Sequence, residues 1–277
     1  MIRRGMSPAL HSGRAADLLV IGGGIHGCSA ALHAALRGMS VIVLEKDSVG
    51  RHASEVNAGG VRRLGRHYAE VPISQYSMQI WYGIADFLDD DCGFQIAPQI
   101  KVAEAEAEAE FATLSARAAD LRAMGFDHEV MLDRAELRRL LPAVSDHAVG
   151  GLAALRDGFA QPYQTTFAFQ RKAQSLGVCV HEGCLATAIR REGDWIVTTP
   201  KGDFHAPRLL NAAGAWGGKL AEMLDEPAPV EAIAPTMLVT NRLPHFCGAV
   251  VGATGRPLSF KQMPLGTCRK SYSPNCA

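Results

Sequence analysis

The stretch from Asp17 to Lys46 most constrains how this chain can fold. It reads DLLVIGGGIHGCSAALHAALRGMSVIVLEK. The short apolar run at 18–21 is followed at once by glycines, which predicts a buried strand rather than a helix. Small residues at 30–36 then predict a helix, and the apolar run at 41–44 predicts a second buried strand. Together these segments predict one βαβ unit with a glycine-rich turn.

The spacing of the glycines in this turn is G-x-G-x-x-G. Gly22 permits the tight turn out of the strand, Gly24 lets a pyrophosphate approach the backbone, and Gly27 lets the helix pack closely on the sheet. The N-terminus of the helix adds unpaired N–H groups and a partial positive charge. Glu45 ends the second strand at about 20 residues from the glycines, where an acid suits ribose hydroxyls. The unit therefore predicts dinucleotide binding, with a purely structural βαβ unit as the alternative.

The composition excludes several classes of partner. The 277 residues carry 28 Lys plus Arg against 28 Asp plus Glu, so the charge balance gives no reason to expect nucleic acid or an acidic membrane. No run approaches the roughly 18 apolar residues of a transmembrane segment, and no apolar segment before residue 17 suggests a secretory signal. We expect a protein of the cytoplasm.

The seven cysteines support the same expectation. Their number is odd, they form no C-x-x-C and their spacing matches no zinc pattern, so reduced thiols are expected and no metal site is predicted. Cys28, inside the first helix, is most simply a small core residue.

The loop after Glu45 bears on the choice of cofactor. A nicotinamide-dependent dehydrogenase would continue with another βα unit, whereas this chain enters a polar loop. Ser54 and Asn57 can donate hydrogen bonds, and Ala58, Gly59 and Gly60 leave backbone N–H groups open to an anion or a polar ring edge. The alternative is an ordinary surface turn.

The remaining pattern alternates between helices and short strands. An apolar stripe at 68–88, which includes Ile73 and Tyr76, predicts an amphipathic helix, and Asp133 with Glu136 predicts a capping box. Asp157 and Gly158 predict a turn. Further helices are predicted at 103–124, 133–141 and 165–176, and strands at 94–102, 149–155, 178–180, 186–190, 195–199, 202–205, 208–211, 236–240 and 258–262.

Seven motifs along the chain point to one family. They are VIGGGIHGCSAA at 20–31, VLEK at 43–46, S-x-x-N-A-G-G-V-R at 54–62, RHYAEVPIS at 66–74, LDRAELRRLLP at 132–142, RDGFAQPYQTT at 156–166 and LLNAAGAW at 209–216. With these motifs the chain resembles the FAD-dependent oxidoreductases of the D-amino acid oxidase type, which include sarcosine and glycine oxidases. The resemblance implies an α/β (α+β overall) fold, with a Rossmann-like FAD-binding domain and an interleaved antiparallel-sheet substrate domain.

The resemblance also implies the residues that hold FAD. Glu45 and Lys46 would contact the adenosine ribose, and Ala186 stands where relatives place a valine whose backbone contacts adenine. The other implied cofactor-binding residues are Gly22, Gly24, Ile25, His26 and Gly27 in the glycine turn, Ser54, Asn57, Ala58 and Gly59 in the polar loop, and Ala213, Gly214 and Trp216 near the end of the motif series.

The implied chemistry is oxidation of a small amine or amino acid by hydride transfer to flavin N5, with oxygen or an electron carrier as the acceptor. Arg62 is the best candidate for a cation near the flavin and the substrate carboxylate. His67 is either a polar group of the pocket or a hydrogen-bonded structural histidine, and Lys261 faces either the pocket or solvent. Arg63 and Arg66 are expected to be solvated surface charges.

Two departures from the family limit this reading. The histidine motif that attaches a second flavin in some sarcosine oxidase β-subunits is not found at 156–166, so covalent FMN is not expected. Nothing after Gly266 resembles the late glycine-rich segment that covers the flavin ring. The chain is therefore expected to be truncated at its C-terminus. It is either a working enzyme, a subunit that needs a partner, or an inactive FAD-binding fragment.

The expected organisation is discontinuous. Residues 266–277 lack periodicity and are predicted to be disordered, and a strand at 258–262 would be left as an exposed sheet edge. The predicted domains are a disordered lead-in at 1–16, an FAD-binding domain at 17–92 and 143–220, and an incomplete substrate domain at 93–142 and 221–265.

Overall fold

The computed structural model describes residues 13–104, 108–234, 236–255 and 258–272. The strands are β1 (Leu18–Ile21), β2 (Val41–Leu44), β3 (Gly60–Val61), β4 (Gln95–Ile96), β5 (Gln99–Glu104), β6 (Val130–Asp133), β7 (Ala148–Ala154), β8 (Gly158–Phe159), β9 (Cys179–His181), β10 (Ala188–Glu192), β11 (Asp194–Thr199), β12 (Gly202–Ala206), β13 (Leu209–Asn211), β14 (Thr236–Arg242), β15 (Val250–Ala253), β16 (Ser259–Gln262) and β17 (Thr267–Tyr272). The α-helices are α1 (Ile25–Ala35), α2 (Val71–Tyr82), α3 (Ile84–Leu88), α4 (Glu108–Ala123), α5 (Arg134–Leu140), α6 (Pro162–Ser175) and α7 (Gly217–Glu222).

The chain divides into two compact units. The first unit contains residues 1–57 and 162–233, and the second contains 58–161 and 234–277. This division differs from the predicted domain bounds, because 58–92 and 143–161 group with the second unit and 221–233 groups with the first. The reason lies in strand pairing: β7 lies between β5 and β6 in the large sheet, and β3 pairs with β8.

The first unit is built on a four-stranded parallel sheet in the order β13-β1-β2-β9. The central strands β1 and β2 carry only apolar residues, as expected for parallel strands covered on both faces. The register places Leu19 beside both Ile42 and Leu209. Because β1 pairs in parallel with β2 and α1 connects them, the predicted βαβ unit is confirmed.

A three-stranded antiparallel sheet, β10-β11-β12, completes the strands of the first unit and confirms the predicted meander. The predicted disorder of the lead-in is wrong for its last residues. Ala16 is buried and its N–H donates to the carbonyl of His205 at 3.1 Å. Residues 1–12 lie outside the described part of the chain.

The second unit contains a mixed seven-stranded sheet in the order β14-β17-β16-β15-β5-β7-β6. Two expectations are wrong here. Residues 267–272 form β17 rather than a disordered tail, and β16 lies between β15 and β17 rather than at an exposed edge. Tail residues 273–277 lie outside the described part. A second sheet, β3-β8-β4, is small, and β8 begins at Gly158, where only a turn was predicted.

The helix predicted at 68–88 is divided. A 3₁₀ turn at Tyr68–Glu70 leads into α2, and α3 follows after Gly83. The expected inward face is confirmed in α3, where Ile84 and Leu88 are buried, and wrong in α2, where Ile73 and Tyr76 are each 70% exposed. Val71 and Met78 are the buried residues of α2, so the apolar pattern identified the helix but not its core-facing side.

The capping box predicted at the start of α5 is confirmed. The Asp133 carboxylate accepts the Glu136 N–H at 2.8 Å, and the Glu136 carboxylate accepts the Asp133 N–H at 3.0 Å. Across the described ranges, no helix is both long and apolar enough to cross a bilayer.

Candidate functional site

The glycine turn between β1 and α1 has the close contacts that its sequence predicts. Gly22 has φ +113°, and a Cβ there would lie 2.4 Å from the carbonyl oxygen of Ala212. A Cβ on Gly27 would lie 1.9 Å from the carbonyl oxygen of Gly22. Both distances are below van der Waals contact, so the turn and the first turn of the helix admit only glycine at these two positions.

Gly24 differs from its two neighbours. A Cβ there would meet one atom within 4 Å, the Ser54 hydroxyl oxygen at 2.9 Å. Gly24 is also the N-cap of α1 and has no side chain to accept an N–H of the first turn. Ser54 supplies that acceptor from the polar loop, because its hydroxyl accepts the N–H of Ile25 at 2.9 Å. The positive end of α1 therefore faces a small hydroxyl and otherwise open space, the arrangement that suits a phosphate.

Glu45 lies at the end of β2 and is 6% exposed. Its carboxylate accepts the N–H of Gly23 at 2.6 Å and the N–H of Asp47 at 2.9 Å. A carboxylate offers about four acceptor sites, so these bonds fix its direction and leave capacity for a hydroxyl donor. The acid that sequence spacing predicted is therefore anchored beside the glycine turn.

Lys46 lies in a cluster with Asp47, His52 and Trp216, and the sequence did not predict that these side chains come together. Its ammonium group bonds to Asp47 and to His52, whose Nε2 lies 2.9 Å away, and stands 4.1 Å from the ring centroid of Trp216. The rings of His52 and Trp216 are 4.7 Å apart. Hydrogen bonds from Lys46 and His52 hold the pKa of Asp47 below its usual range. Trp216 and Lys46, far apart in sequence, are thus brought together next to Glu45.

The same group could be mistaken for a metal site. Ligand-type atoms of Glu45, Asp47 and His52 lie within 4.8 Å of one another. The Lys46 ammonium, however, already bonds to two of these three side chains and supplies the positive charge there. We assign no metal to the group.

The other predicted cofactor residues of the first unit vary in exposure. Ala186 is buried, Ala213 is half-buried, and His26, Asn57 and Gly214 are exposed. The Asn57 amide donates to the carbonyls of Ala53 and Ser54, both at 3.0 Å, and so shapes the polar loop. Ala58 and Gly59 belong to the second unit.

Comparison with protein families identifies the family to which this chain belongs. The family model described as FAD dependent oxidoreductase (DAO) matches residues 17–264. The chain belongs to this family. FAD is accordingly the cofactor, as the resemblance implied.

Curated relatives include dimethylglycine dehydrogenase of Rattus norvegicus, 25% identical over 83% of this chain and 27% of the relative. Sarcosine oxidase subunit beta of Rhizobium meliloti is 28% identical over 85% of this chain and 58% of the relative. This chain thus spans between about a quarter and three fifths of their lengths. Glycine oxidase from Geobacillus kaustophilus shares the fold, with a TM-score of 0.81 at 20% identity over 93% of this chain and 70% of that one.

In the second unit, a cavity of about 330 Å³ lies between β3, the turn that follows it and α2. Arg62 and Arg66 supply positive charge, Ser74 and Ser77 supply hydroxyls, and Trp81 supplies an aromatic wall. The cavity is amphipathic and carries more positive than negative side chains, since Glu70 is its one acidic lining residue among those that the structure describes. Arg62, predicted to be a cation of the site, lines it.

Lys261, another predicted catalytic residue, lies in β16 and is 2% exposed. Its ammonium nitrogen has no hydrogen-bond partner among the described residues and stands 4.2 Å from the ring centroid of Phe159. Burial, with a smaller contribution from Arg269, lowers the pKa of Lys261 to about 7. The side chain therefore faces neither solvent nor the cavity just described, whose lining residues do not include it. It holds an amine that is partly uncharged at neutral pH.

His67 and Arg63 complete the candidates of the second unit. His67 is exposed, and its Nδ1 accepts the N–H of Ala69 at 3.3 Å as the cap of the 3₁₀ turn. The expectation of a solvated Arg63 is wrong: it is 8% exposed and its Nε donates to the Asp157 carboxylate at 2.9 Å. Sequence spacing could not reveal this pair, because its members lie 94 residues apart.

Proposed function

We propose that this chain carries the FAD-binding part, and a share of the substrate site, of an oxidoreductase acting on a small amine or amino acid. The observation that carries the proposal is the glycine turn at the N-terminus of α1, with the Glu45 carboxylate anchored beside it. When bound, FAD would supply the two-electron acceptor, at flavin N5, for a hydride from the carbon next to the substrate nitrogen.

The residues present fit this cofactor. The open space at Gly24 and the N–H groups of α1 suit a pyrophosphate, because a backbone without a Cβ lets phosphate oxygens approach. Glu45 has remaining acceptor sites for ribose hydroxyls. Lys46 and Trp216 lie next to Glu45 and offer a cation and an aromatic face on the adenosine side. Ile25, His26, Ser54, Asn57, Ala186, Ala213 and Gly214 remain proposed contacts, as do Ala58 and Gly59 of the second unit.

The cavity of the second unit is the proposed place for the substrate. Arg62 and Arg66 would bind the carboxylate of an amino acid, since a guanidinium group can donate two parallel hydrogen bonds to it. Trp81 and Met78 would contact the apolar part of the substrate. The charges of both arginines keep contact with solvent at the cavity wall, because Arg62 is exposed and Arg66 is only half-buried. Their position there therefore carries no large desolvation cost.

Lys261 is kept as a proposed proton acceptor on its burial and lowered pKa, and the described lining of the cavity does not include it. An amine substrate gives up hydride in its uncharged form, so a base must take the proton from its ammonium. A base works best when its pKa lies near the working pH, and the pKa of Lys261 is lowered to about 7 by burial. His67 remains a candidate polar group with a capping function.

The final acceptor and the assembly are part of the same proposal. Oxygen or an electron carrier would take the electrons from the flavin. A relative is named sarcosine oxidase subunit beta, which supports a second subunit as partner.

Flavin loading tests the proposal. The purified chain, incubated with FAD and desalted, is expected to retain absorption between roughly 350 and 500 nm, the range of an oxidised flavin. Gly24→Val places a branched side chain where phosphate oxygens would lie, and should abolish this absorption. Gly83→Ala is the matched control, since a Cβ there meets only one carbonyl oxygen at 4.0 Å.

The outcomes separate clearly. Retention of flavin by the unchanged chain and by Gly83→Ala, with loss in Gly24→Val, supports the site. A folded chain that keeps no flavin at any loading concentration would contradict it. Anaerobic bleaching of the bound flavin by sarcosine, glycine or a D-amino acid would then identify the substrate class.

A further inference from the structure

The turn that follows β3 is held by side chains from distant parts of the second unit. It is closed by one backbone bond, in which the N–H of Arg66 donates to the carbonyl of Arg63 at 3.2 Å. Gly65 adopts φ +70°, which favours glycine. The inner N–H groups of such a turn have no backbone acceptor, so each needs a partner from elsewhere.

Two buried carboxylates supply those acceptors. Asp157 is fully buried, and its Oδ2 accepts the N–H of Arg63 at 2.7 Å and the N–H of Leu64 at 3.0 Å. Glu129 is 2% exposed, and its Oε1 accepts the N–H of Gly65 at 2.8 Å. Hydrogen bonds to an ionised acceptor are stronger than neutral ones, so three successive N–H groups of the turn are held by negative charge.

Each carboxylate is neutralised by its own arginine. The Nε of Arg63 donates to Asp157 Oδ1 at 2.9 Å. Arg117, on α4, donates from Nε to one oxygen of Glu129 at 2.7 Å and from Nη2 to the other at 2.8 Å. The Nη2 of Arg117 also donates to the carbonyl of Arg66 at 2.8 Å, so the turn is held at both ends.

The same network reaches the helix that forms the opposite wall of the cavity. Gln75, on α2, accepts from the Nη1 of Arg63 at 2.9 Å, and its amide nitrogen lies 2.8 Å from the Nδ1 of His128. Tyr82, at the end of α2, lies 3.3 Å from the Nη2 of Arg63 and donates to the carbonyl of Arg156 at 2.6 Å. One set of buried polar contacts thus connects the turn and the helix.

Arg62 and Arg66 lie at the two ends of this turn and line the cavity. The carboxylates that hold the turn accept hydrogen bonds from backbone and arginine, and the His128 Nε2 lies 3.8 Å from Glu129 Oε1. We propose that Glu129 and Asp157 are positioning residues, which fix the 62–66 turn and thereby the two arginines that face the ligand. The proposal rests on the proposed function only in assigning the cavity to a carboxylate substrate. Neither acid touches the ligand, so each acts through the turn.

Isosteric variants of the full chain test this proposal. Asp157→Asn and Glu129→Gln keep shape but replace one acceptor oxygen by a donor, which then faces a backbone N–H or an arginine. Asp146→Asn is the matched control, because that carboxylate also pairs with an arginine but is 91% exposed. Backbone amide exchange is measured at 63–65 and at β5 and β7, and binding of 4-methylpentanoate is followed by tryptophan fluorescence.

The expected result is local. Asp157→Asn should speed exchange at Arg63 and Leu64, and Glu129→Gln at Gly65, each at least about tenfold, because the strong charged acceptor is lost. Affinity for 4-methylpentanoate should fall several-fold in both variants, while β5 and β7 keep their protection and Asp146→Asn matches the unchanged chain. If Glu129→Gln fails to fold, adding Arg117→Gln removes the unpaired guanidinium and restores a testable chain.

Other results would overturn the proposal. One is unchanged amide exchange at 63–65 in the two variants. The other is exchange that rises equally in β5 and β7, which would mean that the acids support the whole unit rather than the turn. Local loss of protection in a chain that never binds 4-methylpentanoate supports the positioning of the turn and counts against the cavity as the substrate site. The two proposals can therefore fail separately.

Discussion

Replacing Lys261 with methionine is expected to stabilise the second unit while removing its titratable amine. The lysine nitrogen is buried without a hydrogen-bond partner among the described residues, and burial lowers its pKa from 10.5 to about 7. The folded chain therefore binds this proton less tightly than the unfolded chain does. Between pH 7 and pH 10.5 the unfolded state holds more protons, so the free energy of unfolding rises with pH.

The size of the effect follows from the shift in pKa. One unit corresponds to about 1.4 kcal/mol, so the buried amine costs up to about 4 kcal/mol at pH 7. The contact with the Phe159 ring offsets roughly 1 kcal/mol of this cost. We expect Lys261→Met to raise the free energy of unfolding by about 2–4 kcal/mol at pH 7. The unchanged chain should gain about 2 kcal/mol between pH 7 and pH 9, and the variant should lose that gain.

Urea denaturation at pH 7, 8 and 9 measures this. The chain has three tryptophans, and replacing Trp195 and Trp216 with phenylalanine leaves Trp81 to report on the second unit. Lys101→Met is the matched control, since Lys101 is exposed on β5 and its removal should change stability by less than about 0.5 kcal/mol. A destabilised Lys261→Met variant, or one that keeps the rise between pH 7 and pH 9, would refute the reasoning.

Two further predictions concern pH and the polar loop. Burial lowers the pKa of His33, His128 and His181. As the pH falls below about 6.5 the unfolded chain therefore binds more protons than the folded chain, and the free energy of unfolding decreases. Urea midpoints at pH 7.5 and 5.5 measure this decrease, and His128→Gln should make it smaller rather than leave it unchanged. Ser54→Ala removes the acceptor of the Ile25 N–H and should lower the free energy of unfolding of the flavin-free chain by about 1 kcal/mol. Ser175→Ala is the control. An unchanged urea midpoint in Ser54→Ala would contradict the capping contact.

Local patterns were enough to predict the first unit. The apolar runs of β1 and β2, the glycine spacing and Glu45 lie within thirty residues, and each has one physical consequence in a βαβ unit. Gly22 and Gly27 have the close contacts that their positions require, and Glu45 lies beside the turn. Sequence could predict these features because neighbouring residues in the chain determine them.

The sequence could not show which residues far apart in the chain contact each other. The sequence predicts a turn at Asp157 and a surface charge at Arg63, but both residues are buried because each neutralises the other. The apolar stripe of α2 predicted a helix correctly and its buried face incorrectly, because Ile73 and Tyr76 are exposed. The sequence of α2 alone does not show which other elements pack against it.

The sequence by itself thus determined the family, the cofactor class and the location of the glycine turn, since these depend on short segments with a strict spacing. Tertiary structure alone decided that β16 is an inner strand and that Lys261 on it is buried, which lowers the pKa of the amine. It also decided that two buried acids hold the turn bearing Arg62 and Arg66. The physical reason is the same in each case: the free energy of a charge depends on what surrounds it, and those surroundings come from residues far away in the chain.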